Sequence, residues 1–222
     1  MIDIQLNPVQ QSLLTIIQTA QQRAFENVQR SAYHHVDERL NGDREFQAAI
    51  GKLSYAELDG TRVRPTPDQI DEVVASMEIS FETMRDFHTL GFHLPQRSGA
   101  TVFAQYLLMD FMEKYPGAKC LYIGTREPDL FCVTNPDVNC DAFEIHDSAG
   151  YGRMCKQLKE SREPQPLSMF DPVTFKQSDP YSLIVFDNAN YLRGRDVRFE
   201  QLLRAVHNPR VRPVQFLIHF AS

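Results

Sequence analysis

Residues 89–124 constrain the fold of this chain more than any other stretch. An apolar run at 89–94 gives way to the turn Pro95-Gln96-Arg97-Ser98-Gly99, which opens a helix at about Thr101. The helix carries Val102, Phe103, Tyr106, Leu107, Leu108, Phe111 and Met112 and reaches Lys114, where Pro116-Gly117 stops it. After a very short turn comes a compact strand, Ala118–Gly124. Strand, helix and strand joined this closely predict the βαβ unit of a parallel sheet.

The rest of the chain divides around that unit. Asn7-Pro8 supplies a cap and a first-turn proline, and Val9, Leu13, Ile16, Ile17, Ala20, Ala24, Val28 and Ala32 follow at helical spacing. This predicts one long helix to about Leu40, ending near Asn41-Gly42, with a glutamine-rich opposite face that reads as solvated. Residues 43–66 read as a short helix and a loop. Thr66-Pro67-Asp68 starts a second clear helix, predicted to run to about Phe87. Residues 1–87 thus form a helical, acidic extension ahead of an α/β core at 88–222.

Within the core, Phe143–His146 is a candidate strand and Gly152–Glu160 a candidate helix. Residues 125–141 read as a loop and 161–180, with four prolines, as irregular. Tyr181-Ser-Leu-Ile-Val-Phe-Asp187 is an apolar run ending in a carboxylate and the clearest strand of all. A helix over Val197–His207 and a last strand over Pro213–Phe220 complete the pattern.

Charge and composition narrow the function. Residues 1–92 hold 14 Asp/Glu against 8 Lys/Arg, which accounts for the whole net charge of −6, while the remainder has 15 of each. Nucleic-acid binding driven by overall charge is not expected. No stretch approaches the roughly 20 apolar residues of a membrane helix, and Met1–Leu6 does not read as a secretory signal. The four cysteines contain no Cys-x-x-Cys pair, so they read as reduced thiols of a cytoplasmic protein rather than a zinc site. The seven histidines show no ligand spacing.

Leu94–Thr101 has the outline of a phosphate-binding loop, in which backbone N–H groups at a helix N-terminus face an anion. The full pattern is G-x-x-x-x-G-K-[ST]. Gly99 and Thr101 match it, whereas Leu94 replaces the first glycine and Ala100 stands at the lysine. Asp187, at the end of its strand, is placed to organise Mg²⁺, but the next residue, where a second acid would polarise water, is Asn188. An amide cannot take a proton from water.

With its Pro-Gln-Arg-Ser-Gly-Ala-Thr loop, its Leu-Tyr-Ile-Gly and Leu-Ile-Val-Phe-Asp strands and its Gln-Phe-Leu-Ile-His-Phe strand, the chain resembles the ATPase core of P-loop motors. The likeness is above all to viral DNA-packaging terminase large subunits and helicase-type ATPases, and it covers residues 88–222. The resemblance implies a three-layer, RecA-like parallel sheet flanked by helices. It implies a phosphate-binding loop at Gln96, Arg97, Ser98, Gly99, Ala100 and Thr101, Mg²⁺ at Asp187, and ATP as the ligand. It further implies a partner protein in a motor, packaging or replication complex, or another copy of the chain, in the host cytoplasm if the source is viral.

Loss of both the loop lysine and the second acid points to a pseudoenzyme that works by binding. The alternatives are an active, divergent ATPase that uses Arg97 in place of the lysine, and an α/β interaction protein with no nucleotide site. Arg193, Arg195, Arg198 and Arg204 lie in a basic stretch. They are a candidate contact surface for nucleic acid or a neighbouring subunit, a solvated helix face being the ordinary alternative.

Overall fold

A computed structural model describes residues 5–124, 139–145, 148–160, 181–187, 189, 196–209 and 214–221. Asn188, Arg193, Arg195, the segment 161–180 and most of 125–141 lie outside the described residues. The strands β1 (Thr89–His93), β2 (Lys119–Gly124), β3 (Cys140–Glu144), β4 (Tyr181–Phe186) and β5 (Phe216–Ala221) form one sheet. Their order is β1-β5-β4-β2-β3, and every pairing is parallel. A parallel sheet is covered on both faces, which is why β2, β4 and β5 are runs of apolar residues rather than alternating ones.

Alternate side chains of these strands feed two separate cores. Cys120, Tyr122, Leu183, Val185, Phe216, Ile218 and Phe220 pack on one face with α5 (Ala100–Lys114), α3 (Pro67–Ser76) and α1 (Pro8–Ala49). Leu121, Ile123, Ile184, Phe186 and Leu217 pack on the other with α6 (Ser148–Glu160), α7 (Asp196–Val206) and Met84 of α4 (Phe81–Phe87). Helix, sheet and helix make the three layers expected. Each fully buried Val, Leu, Ile or Phe side chain stabilises the fold by about 1.5–3 kcal/mol, so β4 anchors the centre of the molecule.

The N-terminal helices depart from expectation in two places. α1 does not stop at Asn41-Gly42 but continues to Ala49. A glycine inside a helix costs roughly 1 kcal/mol, and here a tertiary contact offsets it. The buried Asn41 side chain donates to Asp37 Oδ1 at 2.9 Å and to Val63 O at 2.9 Å, and it accepts from Val63 N at 3.0 Å. Those bonds clamp α1 to the segment that follows the short helix α2 (Tyr55–Thr61).

The predicted helix from Pro67 to Phe87 is two helices. α3 ends at Ser76; Ile79 N then donates to Pro209 O at 2.7 Å, and Ser80 caps α4 through Thr83 N. The interruption moves the chain from one face of the sheet to the other. The β3 strand also lies earlier than the expected 143–146, because its register is set by pairing with Cys120–Gly124. Among the described residues no helix is long and apolar enough to cross a membrane.

Candidate functional site

The C-terminal ends of β1 and β4 carry the candidate site, with one strand, β5, between them. Leu94 is buried, and its N–H donates to Ala221 O at 2.7 Å, so the loop after β1 starts pinned to the end of β5. Pro95, Gln96 and Arg97 are exposed, and Ser98 N closes a tight turn on Pro95 O at 3.1 Å. Arg97 has φ of 63°, in the left-handed region. That conformation costs a non-glycine residue about 1–2 kcal/mol and tends to persist at sites where the surrounding structure holds it.

Gly99 is the N-cap of α5, with φ of 77° and ψ of 28°, and provides no side-chain cap. A glycine is needed there for its backbone, and also for space, since a Cβ would stand 3.0 Å from Gln10 Nε2. Gln10 was not apparent from sequence as a site residue. Its buried amide completes the cap of α1, accepting from Asn7 N at 3.0 Å, and it donates to Ser98 O at 3.4 Å and Gly99 O at 3.2 Å.

That contact orients the loop. In a planar trans peptide the C=O and the next N–H point in opposite directions. With the carbonyls of Ser98 and Gly99 turned towards Gln10, the N–H groups of Gly99 and Ala100 face away from it. They join the other first-turn amides of α5, which lack an intrahelical acceptor and sit at the positive end of the helix dipole. Among the described residues the buried Ser98 Oγ has no hydrogen-bond partner. A helix start with these features is chemically suited to an anion such as a phosphate group.

The loop and the acid meet directly. Thr101 Oγ1 donates to Asp187 Oδ2 at 2.5 Å, across the intervening strand. Asp187 is only 7% exposed, and its N–H is held by Ile123 O at 2.8 Å. The same Oδ2 accepts a second bond, from Tyr122 OH at 2.9 Å. Tyr122 is fully buried on β2, and its phenol reaches Asp187 by lying over Gly124, where a Cβ would come within 2.6 Å of the hydroxyl. In sequence the Tyr-Ile-Gly pattern reads only as a strand end.

A hydroxyl and one carboxylate are hard oxygen donors of the kind Mg²⁺ shares with substrate phosphates, so Thr101 and Asp187 fit that ion. Among the described residues no cluster of three or more His, Cys, Asp or Glu stands together as a metal site.

Of the arginines, Arg204 bonds Glu200 at 2.6 Å and lies over the Phe81 ring at 4.6 Å. Arg198 is half-buried on α7, and its backbone carbonyl accepts from Tyr151 OH. Both lie on the α7 side of the sheet, on the face opposite α5.

Neither a protein-family model nor a curated protein sequence matches the chain. Among solved structures it is similar to an ATPase, at 17% identity and a TM-score of 0.39, over 61% of this chain and 55% of that one. It is also similar to the cytoplasmic domain of the type VII secretion ATPase EccC of Thermomonospora curvata. That likeness has 18% identity and a TM-score of 0.38, over 63% of this chain and 16% of the other. The chain therefore spans little more than half of the first structure and a small part of the second. Both likenesses are distant and partial.

Proposed function

We propose that this chain is an ATPase-like binding protein whose phosphate loop keeps its shape while lacking the groups that drive hydrolysis. Its work is to hold a partner protein, in a motor, packaging or replication complex, with nucleotide bound weakly at the loop. The observation that carries this reading is the Thr101–Asp187 bond at 2.5 Å, with Ala100 standing next to it where a lysine would meet the phosphates.

A charge-assisted contact of that kind contributes about 1.5–3 kcal/mol, and more where negative charge develops in a transition state. Asn188 follows Asp187 in the sequence and cannot accept a proton from water. Were Mg²⁺ bound, Thr101 and Asp187 are the residues that would hold it, and it would neutralise phosphate oxygens; phosphate binding at the loop does not require it. The first-turn amides of α5 would bind the phosphate, and Gln10 would keep the loop carbonyls out of its way.

Titration with ATP, alongside an assay of phosphate release, tests the proposal. Wild type is expected to bind weakly and release no phosphate, and Ala100→Lys to bind at least about tenfold more tightly. Turnover of ATP by wild type with Mg²⁺, lost in Asp187→Ala, would overturn it. The second reading, an active ATPase with Arg97 in the lysine's role, is favoured by the left-handed backbone of Arg97. Under that reading Arg97→Ala abolishes nucleotide binding; unchanged binding removes it.

A further inference from the structure

The structure brings a third residue into contact with Asp187, and neither the loop pattern nor the strand pattern contains it. Asp187 is a buried carboxylate, and a buried charge must be compensated by partners or by a cation. Among the described residues no Lys or Arg forms an ion pair with it; instead its Oδ2 accepts from the hydroxyls of Thr101 and Tyr122. Tyr122 is itself 1% exposed, and its ring occupies the space above Gly124 that any larger residue would fill.

We infer that Tyr122 is a specificity-determining residue that makes anion binding at this loop independent of a divalent cation. The inference rests on the reading of the loop as a phosphate site. The physical reason is competition for one charge. A hydroxyl that donates to a carboxylate withdraws part of the negative charge that would otherwise attract Mg²⁺. With two donors on Oδ2, Asp187 is satisfied without a metal, and the phosphate is met by the first-turn backbone amides. Tyr122 acts through Asp187 and is a positioning residue rather than a catalytic one.

The test measures ATP affinity in excess Mg²⁺ and in EDTA, for wild type, Tyr122→Phe and Gly124→Ala. The first variant deletes the hydroxyl and keeps the ring. The second reaches the same end independently, because its new methyl group displaces the phenol from Asp187. Gly124 has no left-handed φ, so alanine is compatible with its backbone.

Wild type is expected to bind equally in both conditions, and both variants to bind about tenfold more tightly with Mg²⁺ than without. The ratio between conditions is the readout, since a merely structural defect lowers both affinities together. A wild type already strengthened by Mg²⁺ overturns the inference and leaves the phosphate-site reading standing. So do variants whose two affinities stay equal. Absence of ATP binding by every protein in both conditions overturns the phosphate-site reading itself, and the inference with it.

Discussion

Asp37 and Asp187 are both buried carboxylates, and they are satisfied in opposite ways. Asp37, on α1, forms an ion pair with Arg62 and accepts from Asn41 Nδ2 at 2.9 Å. Its pKa is lowered, chiefly by the hydrogen bond from Arg62, against a smaller opposing effect of burial. Asp187, at the C-terminal end of the central strand β4, is held by two neutral hydroxyls. One carboxylate is neutralised by a cation of its own chain and serves to clamp helices. The other, among the described residues, is met by hydroxyls rather than by a cation, at the mouth of a loop. Charge compensation thus separates a structural acid from a candidate functional one, though burial alone makes them look alike.

The largest effect bearing on this contrast is a background that must first be removed. His88 is buried against Phe216, its Nδ1 unpartnered among the described residues, and burial lowers its pKa from 6.5 to about 4. The unfolded chain therefore takes up the proton first as pH falls. Stability from this residue is complete above pH 6.5 and is lost between there and about pH 4. The loss amounts to about 3 kcal/mol. Urea unfolding across this range should show the slope, and His88→Phe should flatten most of it. His219, whose pKa is also lowered by burial, adds a contribution of the same sign.

Next in size is Asn41→Ala, which strands both polar groups of Val63 and takes one donor from Asp37 Oδ1. We expect a loss of about 2 kcal/mol in chemical denaturation. A change near zero would mean that α1 is not clamped through Gly42 by these bonds.

Arg62→Met should cost less than Asn41→Ala, because Arg62 is 40% exposed and solvent screens the pair. The loss should shrink further at high salt, and below pH 3.8 the variant and wild type should converge as Asp37 protonates. The smallest effect is expected for Asp187→Asn. The hydroxyls of Thr101 and Tyr122 can reorient towards an amide, so stability should change by less than about 1 kcal/mol. A loss as large as that from Asp37→Asn would erase the distinction between the two acids.

Much of this organisation is legible in the residues, and where it is not, the reasons are specific. Asn7-Pro8, Thr66-Pro67 and the run Leu183–Phe186 declare a helix start, a helix start and a buried strand, because caps and apolar periods are local in the chain. The loop at 94–101 and Asp187 are readable for the same reason. Gly42 misleads, since its local cost is offset by a partner 21 residues further on, at Val63. The break at Met77–Ser80 is hidden because it answers to Pro209, on another element.

By itself, then, the sequence determined the class of fold, an α/β parallel sheet with helices on both faces, and the presence of a helix-opening loop without its lysine. Only the tertiary structure decided what surrounds that loop. It is sheet order that carries Thr101 over β5 to Asp187, and strand register that lets the Tyr122 hydroxyl reach the same carboxylate above Gly124. The docking of α1 is what turns the Gln10 amide onto the loop carbonyls. Hydrogen bonds act over about 3 Å. Partners separated by 65 to 89 positions are therefore chosen by packing, and no local pattern in the chain announces them.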